Sequence, residues 1–339
     1  MFERLYHYFT SYREERNNPQ VTNGGCQHGQ RTRQDRREPP QEREPKGNRN
    51  AVHPKVVISL LSAVDVVYSL SFAKARPPIV SLEKIGDSPH KIAPGVIRLP
   101  GTNRVLKYSR FVNLVEAETL VMLAEKLPRL PIPRAYNAYK IGEVSYIIMD
   151  YAPGPTLAKC WKSLSPQERD SAVSQLRQHV DCYRTLTASY IGSVGERPCQ
   201  DSIFAHPYYW QREVSYGPYY SRHDFNLGAV DALRASRPNP SQYNPELENE
   251  ILATKGDKIV FTHGDLIPAN IVFYNGKVTI IDWGEAGYSI KEREFYEAKK
   301  CITMPPGWDE RIPEFVPAFP AENKFWEHIV DNMRLFCGV

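Results

Sequence analysis

The chain has 339 residues, 41% of them hydrophobic and 24% charged, which fits a globular protein of two domains or one large bilobal unit. That composition excludes a collagen, a disulfide-held miniprotein and a wholly disordered chain. Net charge is +4; residues 1–50 carry most of it, with 10 Lys/Arg against 7 Asp/Glu, so the remainder is close to neutral and speaks against a duplex nucleic-acid binder.

Residues 13–50 are rich in Arg, Glu, Gln, Asn and Pro, with only Val21 and Cys26 clearly apolar. Such a segment buries too little surface to offset its ordering entropy, so residues 1–50 are expected to be a disordered polar tail. Val56–Ala73 has the length of a membrane span but carries Asp65 and four Ser, and it reads as a buried helix leading into the ordered part. No secretory signal pattern opens the chain. The six Cys, at 26, 160, 182, 199, 301 and 337, have no zinc-knuckle spacing. They read as free thiols of a cytoplasmic protein, without a membrane partner.

Strand signals follow. Gly95–Leu99 (GVIRL) and Arg104–Tyr108 (RVLKY) flank a four-residue turn and predict a hairpin. Val112, Glu116, Leu120, Leu123 and Leu127 share one stripe of a helix predicted over 112–127, ended by Pro128 and Pro131. Glu118 projects about 200° away from Glu116 on such a helix. A carboxylate on an inward stripe needs a cation, and Lys107 is at hand. Ser145–Asp150 is a further strand, ended by Ala152-Pro153-Gly154-Pro155.

Helices dominate beyond that point. Ser165-Pro166-Gln167-Glu168 is a capping box, and Val173, Leu176, Val180, Tyr183 and Thr187 line one face behind it. The tract 204–225 is crowded with aromatics, among them Tyr208, Tyr209, Trp210, Tyr216, Tyr219 and Tyr220. It reads as cover for a helical core; an aromatic site for a cationic substrate is the other reading. The expected architecture is α+β: a small antiparallel-sheet lobe over 51–150 and a larger, mainly helical lobe over 151–339.

The most informative stretch is Phe261–Gly287, FTHGDLIPANIVFYNGKVTIIDWGEAG. Ile271–Tyr274 and Lys277–Ile281 are strands joined by Asn275-Gly276, the preferred pair for a two-residue type I′ hairpin. With that turn, Ile271 pairs with Ile280 and Asn270 with Ile281. Asn270 therefore leaves one strand beside Asp282 leaving the other. Two oxygen-bearing side chains at the open end of a hairpin suit a hard cation such as Mg²⁺, whose other ligands are waters and phosphates. Asp265, in the loop entering the hairpin, could take or align the proton of an attacking hydroxyl.

These residues resemble the aminoglycoside phosphotransferase and choline kinase-like superfamily, which has the protein-kinase fold. His263-Gly264-Asp265 with Asn270 is similar to its H-G-D-x-x-x-x-N loop, and Ile281-Asp282-Trp283 to its metal-binding segment. The wording of FTHGDLIPANIV, IIDWGEAG and YIIMDYAPGPTL resembles phosphotransferase-like proteins abundant in fungi. The resemblance implies a bilobal kinase-like fold and transfer of the ATP γ-phosphate to a small-molecule hydroxyl. It implies catalytic roles for Asp265 and His263, with Asp265 the base or orienting group, and Mg²⁺ ligation by Asn270 and Asp282. It implies nucleotide contacts from Lys107, set by Glu116, and from the hinge around Asp150, Tyr151 and Ala152. No G-x-G-x-x-G loop is present. The chain departs from the fungal pattern at Gly284, at Ile290 and at Arg293-Glu294-Phe295, where that pattern has Glu, Pro and a Trp-Glu-Tyr triplet. A non-catalytic nucleotide- or protein-binding module is the alternative; a protein kinase is disfavoured by the HGD loop and by the lack of an A-P-E-like segment after Asp282.

Overall fold

The computed structural model describes residues 68–71, 91–204, 215–237, 239–300 and 304–335. The tail 1–50 lies outside them.

The smaller lobe is an antiparallel sheet with one helix on it. Its strands are β1 (Tyr68–Ser71), β2 (Lys91–Ala93), β3 (Val96–Arg98), β4 (Arg104–Ser109), β5 (Ala135–Ile141) and β6 (Val144–Asp150), in the spatial order β1-β5-β6-β4-β3-β2. The β3–β4 hairpin has the predicted location, with Val96 opposite Lys107 and Ile97 opposite Leu106. Helix α1 (Val115–Lys126) starts three residues later than the periodicity suggests. Asn113 is the reason: its side chain accepts the Val115 N–H at 3.0 Å in a turn that competes with the helix.

The expectation of a buried helix over Val56–Ala73 is corrected where residues are described. Tyr68–Ser71 is a strand, paired with β5 from Tyr68–Lys140 to Ser71–Asn137. Its two-residue alternation, YSLS, suits a strand, and it satisfies backbone groups that the β5 edge would otherwise leave unpaired.

The sheet is buried on both faces. Val105, Ala138, Ile147 and Met149 join Leu120 and Leu123 of α1 in the main core. Ile97, Leu106, Tyr139, Tyr146 and Ile148 form a separate cluster on the other face, where Tyr139 and Tyr146 stack across β5 and β6 at 5.1 Å. Side chains alternate along a strand, so Lys107 lies on the Val105 side of β4, toward α1.

Beyond β6 the chain becomes mainly helical: α2 (Leu157–Cys160), α3 (Pro166–Tyr183), α4 (Arg222–Ala235), α5 (Pro245–Ala253), α6 (Arg293–Lys299), α7 (Ile312–Phe315) and α8 (Pro320–Arg334). The capping box at Ser165 is formed: its hydroxyl accepts from Glu168 N–H, and Glu168 accepts from Ser165 N–H. The larger lobe also holds two short pairs, β7 (Ile259–Thr262) with β10 (Gly287–Ile290) and β8 (Ile271–Tyr274) with β9 (Lys277–Ile280). Phe204, Tyr216, Phe225 and Trp326 pack in a core below them, Phe204 stacked on Tyr216 at 4.8 Å. So Tyr216 belongs to the core, as read; Tyr208, Tyr209 and Trp210 lie outside the described residues. Cys160, Cys182 and Cys199 are free thiols, and among the described residues no helix is long and apolar enough to cross a membrane.

Candidate active site

The β8–β9 hairpin has the predicted register, Ile271 opposite Ile280 and Tyr274 opposite Lys277. Asn275 and Gly276 both take positive φ, 49° and 71°, as a type I′ turn requires. The ladder continues one step past the strands: Ile281 N–H donates to Asn270 C=O at 2.9 Å. Asp282 follows with φ 65°, a left-handed conformation that is costly for a residue other than glycine and that turns the chain out of the strand.

Lys107 joins the two lobes. Its Nζ lies 2.7 Å from Glu116 Oε2 and 2.6 Å from Asp282 Oδ1. Glu116 is buried, whereas the Asp282 side chain is 46% exposed toward the cleft. Desolvation alone would raise the Asp282 pKa, but the charge and hydrogen bond of Lys107 outweigh it and hold the carboxyl at about 2. Burial alone would lower the Lys107 pKa; Asp282 and then Glu116 reverse this, and the ammonium is held above the ordinary lysine value. The pair expected between Lys107 and Glu116 is thus formed. Glu118, on the other side of α1, pairs instead with Arg197 at 2.6 Å.

Asp265, Asp282, Lys107 and Glu116 line one cleft of about 550 Å³, together with Gly284, Glu285 and Gln200. Asn270 is behind Asp265, buried and not itself among the lining residues. Its Nδ2 donates to Asp265 Oδ2 at 2.7 Å and to Asp265 C=O at 2.9 Å. Two acceptors at one end of the amide identify that end as the nitrogen. The amide oxygen then points the other way, and among the described residues it accepts no hydrogen bond.

His263 does not reach the cleft. It is fully buried, its ring 4.6 Å from Trp283, centroid to centroid. Nε2 is 3.0 Å from Ile281 C=O, and Nδ1 accepts the Asp265 N–H at 3.1 Å. A carbonyl accepts only, so the proton is on Nε2 and the ring is neutral. Burial lowers its pKa and favours the same state.

A second carboxylate, unforeseen from sequence, supports the loop from below. Glu294 of α6 accepts the N–H groups of His263 at 2.7 Å and Gly264 at 3.3 Å, and the Tyr183 hydroxyl at 2.9 Å. Its neighbour Arg293, also buried, donates to Glu285 C=O, Gln200 C=O and Thr262 Oγ1. The only signal was the departure Arg293-Glu294-Phe295, where charged residues stand beside the aromatic pair Phe295-Tyr296.

At the hinge, Asp150 N–H donates to Arg134 C=O and Tyr151 N–H to Asn103 C=O, each at 3.0 Å. The Asp150 carboxylate accepts from Tyr136 OH at 2.7 Å and Arg134 N–H at 3.1 Å. Ala152 N–H makes no hydrogen bond among the described residues.

Solved structures with which the chain aligns include the crystal structure of aminoglycoside phosphotransferase APH(4)-Ia, at 17% identity over 71% of this chain and 80% of that one, TM-score 0.45. Another is APH(3'')-Id from Streptomyces rimosus ATCC10970 in complex with ADP and streptomycin, at 16% identity over 70% and 89%, TM-score 0.44. No curated protein matches the chain. The model of the phosphotransferase enzyme family matches residues 114–291, from the start of α1 through the His263-Gly264-Asp265 and Asp282 segments. That is a little over half of the sequence, and the chain belongs to the phosphotransferase enzyme family.

Proposed function

We propose that this protein is an ATP- and Mg²⁺-dependent phosphotransferase whose acceptor is a hydroxyl of a small molecule. The observation that carries the reading is the convergence of Asp265, Asp282, Lys107 and Glu116 on one cleft, from four separate segments of the chain.

Asp265 is the group that receives or aligns the acceptor hydroxyl. The Asn270 amide and the His263 imidazole fix its position, one through the carboxylate and the other through the backbone. His263 is therefore a positioning residue, since its ring is sealed from the cleft. Lys107 holds nucleotide phosphates, and Glu116 sets its direction. At the hinge, the free Ala152 N–H is the donor suited to an adenine edge, because the Asp150 and Tyr151 N–H groups are already committed.

The donor set fits a magnesium ion that arrives with the nucleotide. Among the described residues no cluster of three or more His, Cys, Asp or Glu could hold a metal alone. Asp282 supplies an ionised carboxylate and Asn270 an amide oxygen, so phosphates and water must complete the shell. When bound, the cation would neutralise charge on the transferring phosphoryl group.

The test is an ATP-consumption screen over hydroxylated small molecules, with Asp265→Ala in parallel. Turnover with one acceptor class, lost in the variant, supports the reading. Nucleotide binding with no turnover for any acceptor would instead mark a binding module.

A further inference from the structure

Arg293 is a buried guanidinium at the start of α6, at a position where the resembling pattern carries an aromatic. Its nitrogens reach three segments, at Gln200–Asp201, Thr262 and Glu285. Nη2 donates to Glu285 C=O at 2.9 Å and to Gln200 C=O at 3.1 Å; Nη1 donates to Thr262 Oγ1 at 3.2 Å; Nε pairs with Asp201 Oδ2 at 3.0 Å. Gly264 is pressed against the same group. With φ 77°, a Cβ there would fall 2.5 Å from Arg293 Nη2 and 2.4 Å from Glu285 C=O.

Gln200 and Glu285 both line the cleft that Asp265 and Asp282 line, and Arg293 also packs on Gly264, the residue before Asp265. Gln200 and Glu285 are 85 positions apart in sequence, and one guanidinium nitrogen binds both carbonyls. Among the described residues, Arg293 makes no hydrogen bond or ion pair with Lys107, Glu116 or residues 150–152. We propose that Arg293 is a positioning residue for the acceptor side of the cleft: it clamps the Gln200 wall to the Glu285 loop and packs against Gly264, so that the acceptor hydroxyl meets Asp265 at a set distance. This rests on the phosphotransferase reading for its consequence, though not for its geometry.

The planar fork is what the role needs. Lysine could keep the charge near Asp201 but could not donate in three fixed directions at once. An aromatic could fill the volume but would leave both carbonyls without this donor.

The experiment compares the full-length protein with Arg293→Lys in three measurements: amide hydrogen exchange, the Kd of a fluorescent ATP analogue with Mg²⁺, and ATP turnover per folded molecule. The clamp predicts exchange about tenfold faster in residues 197–204 and 283–289, with residues 105–118 unchanged. It predicts analogue affinity within about twofold of the parent, since the nucleotide side does not touch Arg293. Turnover should fall about tenfold or more, as misplacement of an acceptor does. Unchanged exchange in both wall segments overturns the proposal, and so does exchange that rises equally everywhere with lost analogue affinity, the mark of a general structural role. If Arg293→Lys does not fold, Asp201→Asn keeps the guanidinium while loosening its anchor, and the same two segments decide. A parent that binds the analogue but never turns over ATP sinks the phosphotransferase reading alone; the exchange pattern still decides the clamp.

Discussion

His263 Nδ1 accepts the backbone N–H of Asp265 at 3.1 Å, so an imidazole sealed from the cleft orients the carboxylate that faces it. Protonation of Nδ1 would destroy that bond. The ring should therefore stay neutral, as the Nε2–H form, at a pH where an exposed histidine is already protonated. Nitrogen-detected NMR of the imidazole checks this; a ring that titrates in the usual histidine range would contradict it. The sign of the stability effect follows. Burial depresses the native pKa, so below about pH 6.5 the unfolded chain binds a proton that the native state refuses, and stability falls with falling pH. The loss is at most ~1.4 kcal/mol per pH unit for one proton. Relative to His263→Gln, the parent should lose ground in urea melts as the solution is acidified.

Asp265→Asn is nearly isosteric and can still accept the Asn270 amide through its own oxygen. Fold and nucleotide affinity should persist while proton acceptance is lost. Turnover is expected to drop ~10²–10⁴-fold, the usual share of a general base. Near-normal turnover would remove Asp265 from the mechanism.

Lys107→Met leaves Glu116 buried and without its cation. An uncompensated group of that kind costs ~1–3 kcal/mol or more, seen as a lower melting temperature. Lys107→Met combined with Glu116→Gln should recover part of the stability, because the stranded charge is gone. Nucleotide affinity should stay low in both. Recovery of affinity in the double variant would show that Lys107 does not bind phosphate.

Much of this was legible in the sequence because it is local. Asn275-Gly276 set a two-residue turn, the turn set the register, and the register put Asn270 opposite Ile281, the residue before Asp282. Glu116 could be told from Glu118 by helix phase alone, and the two carboxylates indeed find different cations, Lys107 and Arg197. What the sequence hid is long-range. The His263-Gly264-Asp265 motif places His263 next to Asp265 but not its depth, which depends on Trp283 packing over it. The Glu294 cradle links residues 30 and 31 positions apart, and Arg293 reaches back 92 to Asp201; no periodicity encodes such pairings. Tyr68–Ser71 misled because it closes the long, mainly apolar stretch Val56–Ala73, which reads as helix as a whole, and the open β5 edge decided for strand.

Gly264→Ala should fail for two separate reasons. Its φ of 77° costs an L-residue ~1–2 kcal/mol, and the new methyl would meet Glu285 C=O and the Arg293 guanidinium. Since Gly264 N–H also donates to Glu294, the loop cannot shift without losing that bond. A melting temperature within a degree or two of the parent would mean that the loop is more pliant than these contacts imply.

Asp282→Asn separates the metal from the lysine. The carboxyl is held at about 2 chiefly against its own desolvation, by Lys107, so it is ionised throughout the range in which the protein is handled. Its exposed half faces the cleft, free to meet a cation there. Replacing it by an amide removes one negative charge and one strong oxygen ligand but leaves a hydrogen-bond acceptor for Lys107. If Asp282 holds Mg²⁺ on the phosphates, affinity for the ATP analogue with Mg²⁺ should fall about tenfold or more, the scale of one lost charge-assisted contact. Metal-free analogue should behave oppositely. It meets one repelling carboxylate fewer, and Lys107 is released from a competing partner, so binding should hold or tighten. Paired titrations with Mg²⁺ and with EDTA read the two effects on one variant. Equal weakening in both would mean that Asp282 serves the cleft through Lys107 alone, and the cation would need another ligand.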